Sequence, residues 1–100
     1  MEKWTLDEDT AKTVKADIVD NPHALKKWDK FKTVVVENPF YHAKHKRIKK
    51  LKISSYPKGT YRYKDEPLRV VYYPEKKKKI VYPLAAGTAT NIDYKKRSKK

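Results

Sequence analysis

Residues 60–73 read Thr60-Tyr61-Arg62-Tyr63-Lys64-Asp65-Glu66-Pro67-Leu68-Arg69-Val70-Val71-Tyr72-Tyr73. Two runs rich in β-favouring residues, Thr60 to Lys64 and Leu68 to Tyr73, flank the turn-forming Asp65-Glu66-Pro67. The connection is short enough for an antiparallel hairpin. A third run, Ile80 to Ala85, follows a second turn at Pro74 through Lys79. Together they predict an antiparallel three-stranded meander. Successive strand residues point to opposite faces. Tyr61 and Tyr63 thus share one side, and Arg62 and Lys64 the other. Leu68, Val70 and Tyr72 likewise oppose Arg69, Val71 and Tyr73.

Upstream the period changes to that of helices. Ala11, Val14 and Ile18 recur at helical spacing, so residues 8–20 predict an amphipathic helix behind the acidic start Asp7-Glu8-Asp9. Asn21-Pro22 breaks it. A second helix, about 22–37, lines up Leu25, Trp28, Phe31 and Val35, with Lys26, Lys27, Asp29 and Lys30 on its far side. Asn38-Pro39 closes it. Trp4-Thr5-Leu6 predicts a short first strand. The expected fold class is α+β: an N-terminal strand, a two-helix hairpin and the meander, with the helices on the Leu68 face. Residues 1–94 form one domain and 95–100 a basic tail.

A chain of 100 residues suits one core. Its apolar share of 38% includes twelve aromatic side chains, too many for a disordered tail. No apolar run approaches the roughly 20 residues of a membrane span, and the N-terminus lacks an apolar signal region. No membrane is therefore expected among the partners, and a cytoplasmic location follows by elimination. Cysteine is absent, which excludes disulfides, thiol catalysis and Cys-based zinc sites.

Charge is the strongest signal. The net charge is +14, and it is distributed unevenly. Residues 1–37 hold seven Lys/Arg against eight Asp/Glu, whereas residues 38–100 hold nineteen against four. Such a field seeks a polyanion or an acidic protein. With the helices on the Leu68 face, the opposite side offers Arg62, Lys64 and Arg69 from adjacent strands, near Tyr73. Cations beside an aromatic ring suit RNA, because phosphates take the charge and unstacked bases take the ring. The alternative is an ordinary solvated sheet face.

Other groupings point elsewhere less well. His42 and His45 are three apart, but cationic neighbours repel a metal ion, so no metal or other cofactor is expected. Lys76-Lys77-Lys78-Lys79 reads as a solvated turn or a contact to rRNA phosphates. The tail Lys95-Lys96-Arg97-Ser98-Lys99-Lys100 adds charge more than geometry.

Asn38-Pro39-Phe40, Arg47-Ile48-Lys49-Lys50-Leu51-Lys52, Tyr61-Arg62-Tyr63-Lys64 and Leu68-Arg69-Val70-Val71-Tyr72, followed by a last strand running to Tyr94, occur in the order seen in a known superfamily. Residues 38–94 resemble the RelE/ParE toxins of type II toxin–antitoxin pairs, and the helical portion agrees in layout. The resemblance implies a metal-independent endoribonuclease that cuts mRNA on the ribosome and is held by an acidic antitoxin. The substrate's 2′-OH attacks the adjacent phosphate, which calls for a base, cations for the pentavalent phosphate and a proton donor. It further implies that Arg62 and Lys64 are the family's paired basic positions, Lys64 the better base. Arg69 would clamp the scissile phosphate, and Tyr94 would stack on a base or donate a proton. Lys49, Lys50, Lys52, Tyr73, Lys95, Lys96 and Arg97 would bind RNA. Many nucleolytic members carry an Arg shortly before the terminal Tyr, and Gly87 to Asp93 contains no basic residue. Losing such a donor costs on the order of a hundredfold in rate or more. A non-catalytic RNA or ribosome binder, or a gyrase-inhibiting relative, therefore stays open beside the nuclease.

Overall fold

Asp7 starts the first helix. Its carboxylate accepts from the Thr10 backbone N–H at 3.0 Å and from the Thr10 hydroxyl at 2.7 Å, which satisfies one of the orphan donors of a helix N-terminus. These two bonds, the hydroxyl first, hold the Asp7 carboxyl below its ordinary pKa. The computed structural model describes residues 4–40, 47–51 and 56–88. Helix α1 (Glu8–Lys15) tightens into a 3-10 turn at Ala16–Ile18, so the single helix expected over 8–20 is two pieces. The tighter turn carries Ile18 into the core at 1% exposure. Asn21 then caps α2 (Pro22–Glu37) by accepting from Ala24 N–H at 3.0 Å, with Pro22 in the first turn.

The buried side of α2 is Ala24, Trp28, Phe31, Val34 and Val35, with Leu25 partly covered. Phe31 packs 5.2 Å from the Tyr63 ring and 5.9 Å from Tyr72. The principal core thus lies between the helices and one face of the sheet, which carries Leu6, Ile48, Tyr63, Leu68, Val70, Tyr72, Val81 and Ala86.

The α+β class holds, but the sheet is larger than a meander. Five strands follow the order β1-β5-β4-β3-β2, with β1 Thr5–Leu6, β2 Ile48–Lys50, β3 Tyr61–Asp65, β4 Leu68–Glu75 and β5 Ile80–Gly87. The edge strand β1 runs parallel to β5, and the other pairs are antiparallel. Strand β2 falls in a Lys-rich stretch that propensity disfavours. It forms because Ile48 lies opposite Tyr63 and is 8% exposed, while Lys49 and Lys50 remain exposed on a short charged edge. Strands β4 and β5 run two residues further than expected. Pro74 is tolerated within β4 because the ladder to β3 ends at Tyr72, leaving β5 as its neighbour.

A β-bulge interrupts β4–β5. Val71 pairs with Ala85 and Tyr72 with Pro83, leaving Leu84 as the extra residue. The alternation of β5 therefore shifts, and Ala85 and Val71 meet on the side away from the helices. There Leu51, Tyr56 and Leu84 pack on them as a second, small apolar cluster. This corrects the expectation of a bare outer face: Leu51, Tyr56 and Leu84 cover part of it. Among the described residues no helix is long and apolar enough to cross a membrane.

Candidate nucleic-acid interface

The hairpin β3–β4 places Lys64 directly opposite Arg69, and Arg62 opposite Val71, with Lys49 on β2 opposite Arg62. Residues paired across an antiparallel ladder share a face. Lys49, Arg62, Lys64 and Arg69 therefore converge on the helix-free side. This basic patch borders the Val71 cluster.

Arg62, Lys64 and Arg69 each have a local tie. The Arg62 guanidinium donates to the Arg47 carbonyl at 3.1 Å, and the same carbonyl accepts from Lys64 N–H at 2.8 Å. Arg62 thereby braces the start of β2 against β3. The Arg69 guanidinium donates to the Glu66 carboxylate at 2.8 Å, and the Lys64 ammonium lies 3.7 Å from the same Oε2. Glu66 is reachable because it sits in the two-residue turn between the strands. The Arg69 hydrogen bond is the main reason that its carboxyl is held below the ordinary value.

The carboxylate of Glu66 bears on the expected role of Lys64 as base. A lysine base must be desolvated and crowded by other cations. Lys64 is 43% exposed and has a carboxylate beside it. Glu66 is the carboxylate that contacts both Lys64 and Arg69.

Arg69 differs too from the expected surface side chain, since only 21% of it is exposed. Its guanidinium Nε is buried. Tyr73 stands diagonal to Arg62, two residues beyond its partner Val71, and away from Lys64 and Arg69. It lies four residues along β4 from Arg69, about 13 Å at the usual strand rise. Tyr73 and Lys50 instead line a notch of about 360 Å³ with Phe40, Tyr61, Lys76 and Lys77. Nothing in the binary pattern revealed the notch, because its residues come from four separate stretches. Lys52, Tyr94, Lys95, Lys96 and Arg97 lie outside the described residues, as do His42 and His45.

Behind the patch, on the helix side, the buried Asp65 carboxylate gathers Arg47 at 3.4 Å, Lys27 at 3.5 Å and the Tyr63 hydroxyl at 3.3 Å. Lys27, expected on the far face of α2, thus turns to the sheet. Burial foremost, then the Asp65 charge, pushes the Tyr63 hydroxyl well above the ordinary phenol range, so it stays a neutral donor. A second hollow, about 370 Å³, lies between the helices and mixes Glu8 and Asp9 with Lys12, Lys15 and Lys32. Its mixed signs give no focused field for a polyanion. Among the described residues no three His, Asp or Glu side chains cluster as a metal ion would require.

Comparison with known proteins adds no family. No protein-family model matches the chain, and no curated protein is detectably similar to it. The chemistry of the patch must be argued from its own residues.

Proposed function

We propose that this protein is a RelE-like toxin, a cytoplasmic endoribonuclease that cuts mRNA on the ribosome without a metal and is neutralised by an acidic antitoxin. The observation that supports this reading is the juxtaposition of Lys64 and Arg69 across β3–β4, with Arg62 and Lys49 one row away on the helix-free face. Two ammonium and two guanidinium groups from three adjacent strands on one face supply the positive groove that a single-stranded backbone requires.

In the proposed reaction the scissile phosphate displaces the Glu66 carboxylate from Arg69, whose planar fork takes two phosphate oxygens. Lys64 offsets charge on the pentavalent phosphate. Glu66, freed but adjacent, accepts the proton of the 2′-OH. The 2′-oxygen bonds to phosphorus, the bond from phosphorus to the 5′-oxygen breaks, and that oxygen leaves as a hydroxyl. Its proton is the role the resemblance assigns to Tyr94.

A second reading, a non-catalytic RNA or ribosome binder or a gyrase-inhibiting relative, is favoured by one sequence observation. Gly87 to Asp93 supplies no arginine to the transition state. Induction in a bacterium separates the two. Growth arrest with new 5′ ends inside ribosome-bound transcripts, lost in Arg69→Lys, is the result expected of the nuclease. Lysine keeps the charge and loses the fork. Arrest with intact transcripts would select the second reading, and no arrest would remove both.

A further inference from the structure

The notch at the other end of the sheet has a construction that the catalytic reading leaves unused. Strand β3 begins at Tyr61, opposite Tyr72, so the Tyr73–Glu75 edge of β4 projects past it. The gap is closed on the helix side by Phe40. Phe40 meets the Tyr61 ring edge-on at 5.3 Å and is backed by Trp4 at the same separation. Tyr61 in turn stacks on Tyr72 at 6.4 Å, with the planes 23° apart. The aromatic wall is therefore rigidly supported from the core.

The opposite side of the notch is backbone. Gly59 passes the Tyr73 ring with φ +92°, and a Cβ there would stand 3.5 Å from Tyr73 Cε1. The positive φ is what calls for glycine here, and the Gly59 backbone forms that side of the notch against the partly exposed Tyr73 ring. Lys50, Lys76 and Lys77 supply the rim. The ammonium of Lys76 lies 5.6 Å from the centre of the Phe40 ring, a cation–π distance that holds it over the opening. The one acid of the lining, Glu75, is turned away from ligand duty, since its carboxylate accepts from Lys78 N–H at 3.0 Å within the turn.

Three rings edged by three ammonium groups, with the one carboxylate of the lining, Glu75, tied to Lys78 N–H, fit a planar π-system carrying a phosphate. A volume of about 360 Å³ lies at the small end of ligand pockets, ~300–1,000 Å³. That suits one unstacked nucleotide and excludes a duplex. An acidic peptide would use the lysines but not the rings.

We propose that the notch formed by Phe40, Tyr61, Tyr73, Lys50, Lys76 and Lys77 holds one nucleotide of a single-stranded RNA, its base against the rings and its phosphate on the lysines. It acts as an anchoring subsite about 13 Å along the sheet from the Lys64–Arg69 pair. This inference rests on the RNA reading of the patch.

The test uses the full chain and a labelled, uncleavable 2′-O-methyl RNA octamer, followed by fluorescence anisotropy. Tyr73→Ala should weaken binding roughly tenfold or more, the usual effect of losing one stacked base. It should leave binding of inorganic polyphosphate, which has no bases, unchanged. Lys76→Ala combined with Lys77→Ala, in an exposed turn where folding is not at stake, should weaken both ligands. It should also reduce the slope of log affinity against log salt by about 0.7, the share of one phosphate on a single strand. Adenosine monophosphate should displace the octamer only at millimolar concentration; micromolar displacement would make the notch a mononucleotide site and overturn the proposal. Failure of the wild type to bind RNA would remove the RNA reading and the notch with it. Wild-type binding that falls in Arg69→Lys but is untouched by the Tyr73 and Lys76/Lys77 variants would overturn the notch alone. Tighter binding of a poly-glutamate peptide than of RNA would assign the notch to an acidic protein instead and would also overturn the proposal.

Discussion

Lys64 and Arg69 face each other across the β3–β4 ladder, and the turn that joins their strands returns Glu66 to within 2.8 Å of one and 3.7 Å of the other. A carboxylate on the hairpin tip thus holds two cations on the face proposed to receive phosphate. An anion that binds there must compete with an acid of the protein's own.

Glu66→Gln should therefore separate binding from chemistry. Removing the competing charge should tighten an uncleavable RNA by roughly two- to fivefold, the scale of an exposed ion pair. Cleavage should fall by ~10² or more if the carboxylate takes the 2′-OH proton. Anisotropy and gel analysis of single-turnover reactions read the two effects. Tighter binding with unchanged cleavage would assign the proton to another group.

The same carboxyl sets an acid limit. Glu66 and Asp7 are both held below their ordinary values of 4.5 and 3.8. A depressed folded-state pKa contributes stability that is complete above the ordinary value and is lost as pH falls through the folded one. Melting temperature should accordingly be level from neutrality to about pH 5 and decline in the range below 4.5. Tyr63 and Tyr72 have the opposite sign. Their raised values contribute stability that is complete below the ordinary 10.0 and lost above it. A melting curve falling between pH 7 and 5 would contradict the acid assignment.

Tyr72→Phe tests how the post-helical segment is held. The Tyr72 hydroxyl donates to the Pro39 carbonyl at 2.7 Å in a buried setting. Its loss leaves that oxygen without its donor and should cost about 1–3 kcal/mol. Denaturant unfolding measures it. Phe40 follows Pro39 directly, so the same variant should also loosen the notch and weaken RNA binding, while Arg69-dependent cleavage is retained.

Asn21→Ala should destabilise by about 1 kcal/mol through loss of the α2 cap. Far from both basic sites, it should leave the RNA salt slope unchanged. A change in that slope would show that the helix layer contributes to the interface.

The α+β class, both helix-bearing segments and the faces of Tyr61 to Lys64 and of Leu68 to Val71 were legible from period and turn chemistry, because these are local rules. Ala11, Val14, Trp28 and Phe31 declared the helix stripe, and the alternation Tyr61-Arg62-Tyr63-Lys64 declared the sheet side of each cation. The second half's excess of lysine was likewise legible before any fold was known, and the proposal of an anionic partner starts from it. Strand β2, the parallel pairing of β1 with β5 and the bulge at Leu84 were decided by tertiary structure. In each case a distant partner, Tyr63, Val81 or Tyr72, supplies hydrogen bonds and burial that overcome weak or contrary propensity. Non-local too are the notch and the reach of Glu66 to Lys64 and Arg69. Both depend on where strands end beside one another in space, and a side-chain pattern read along one strand carries no record of where its neighbour stops.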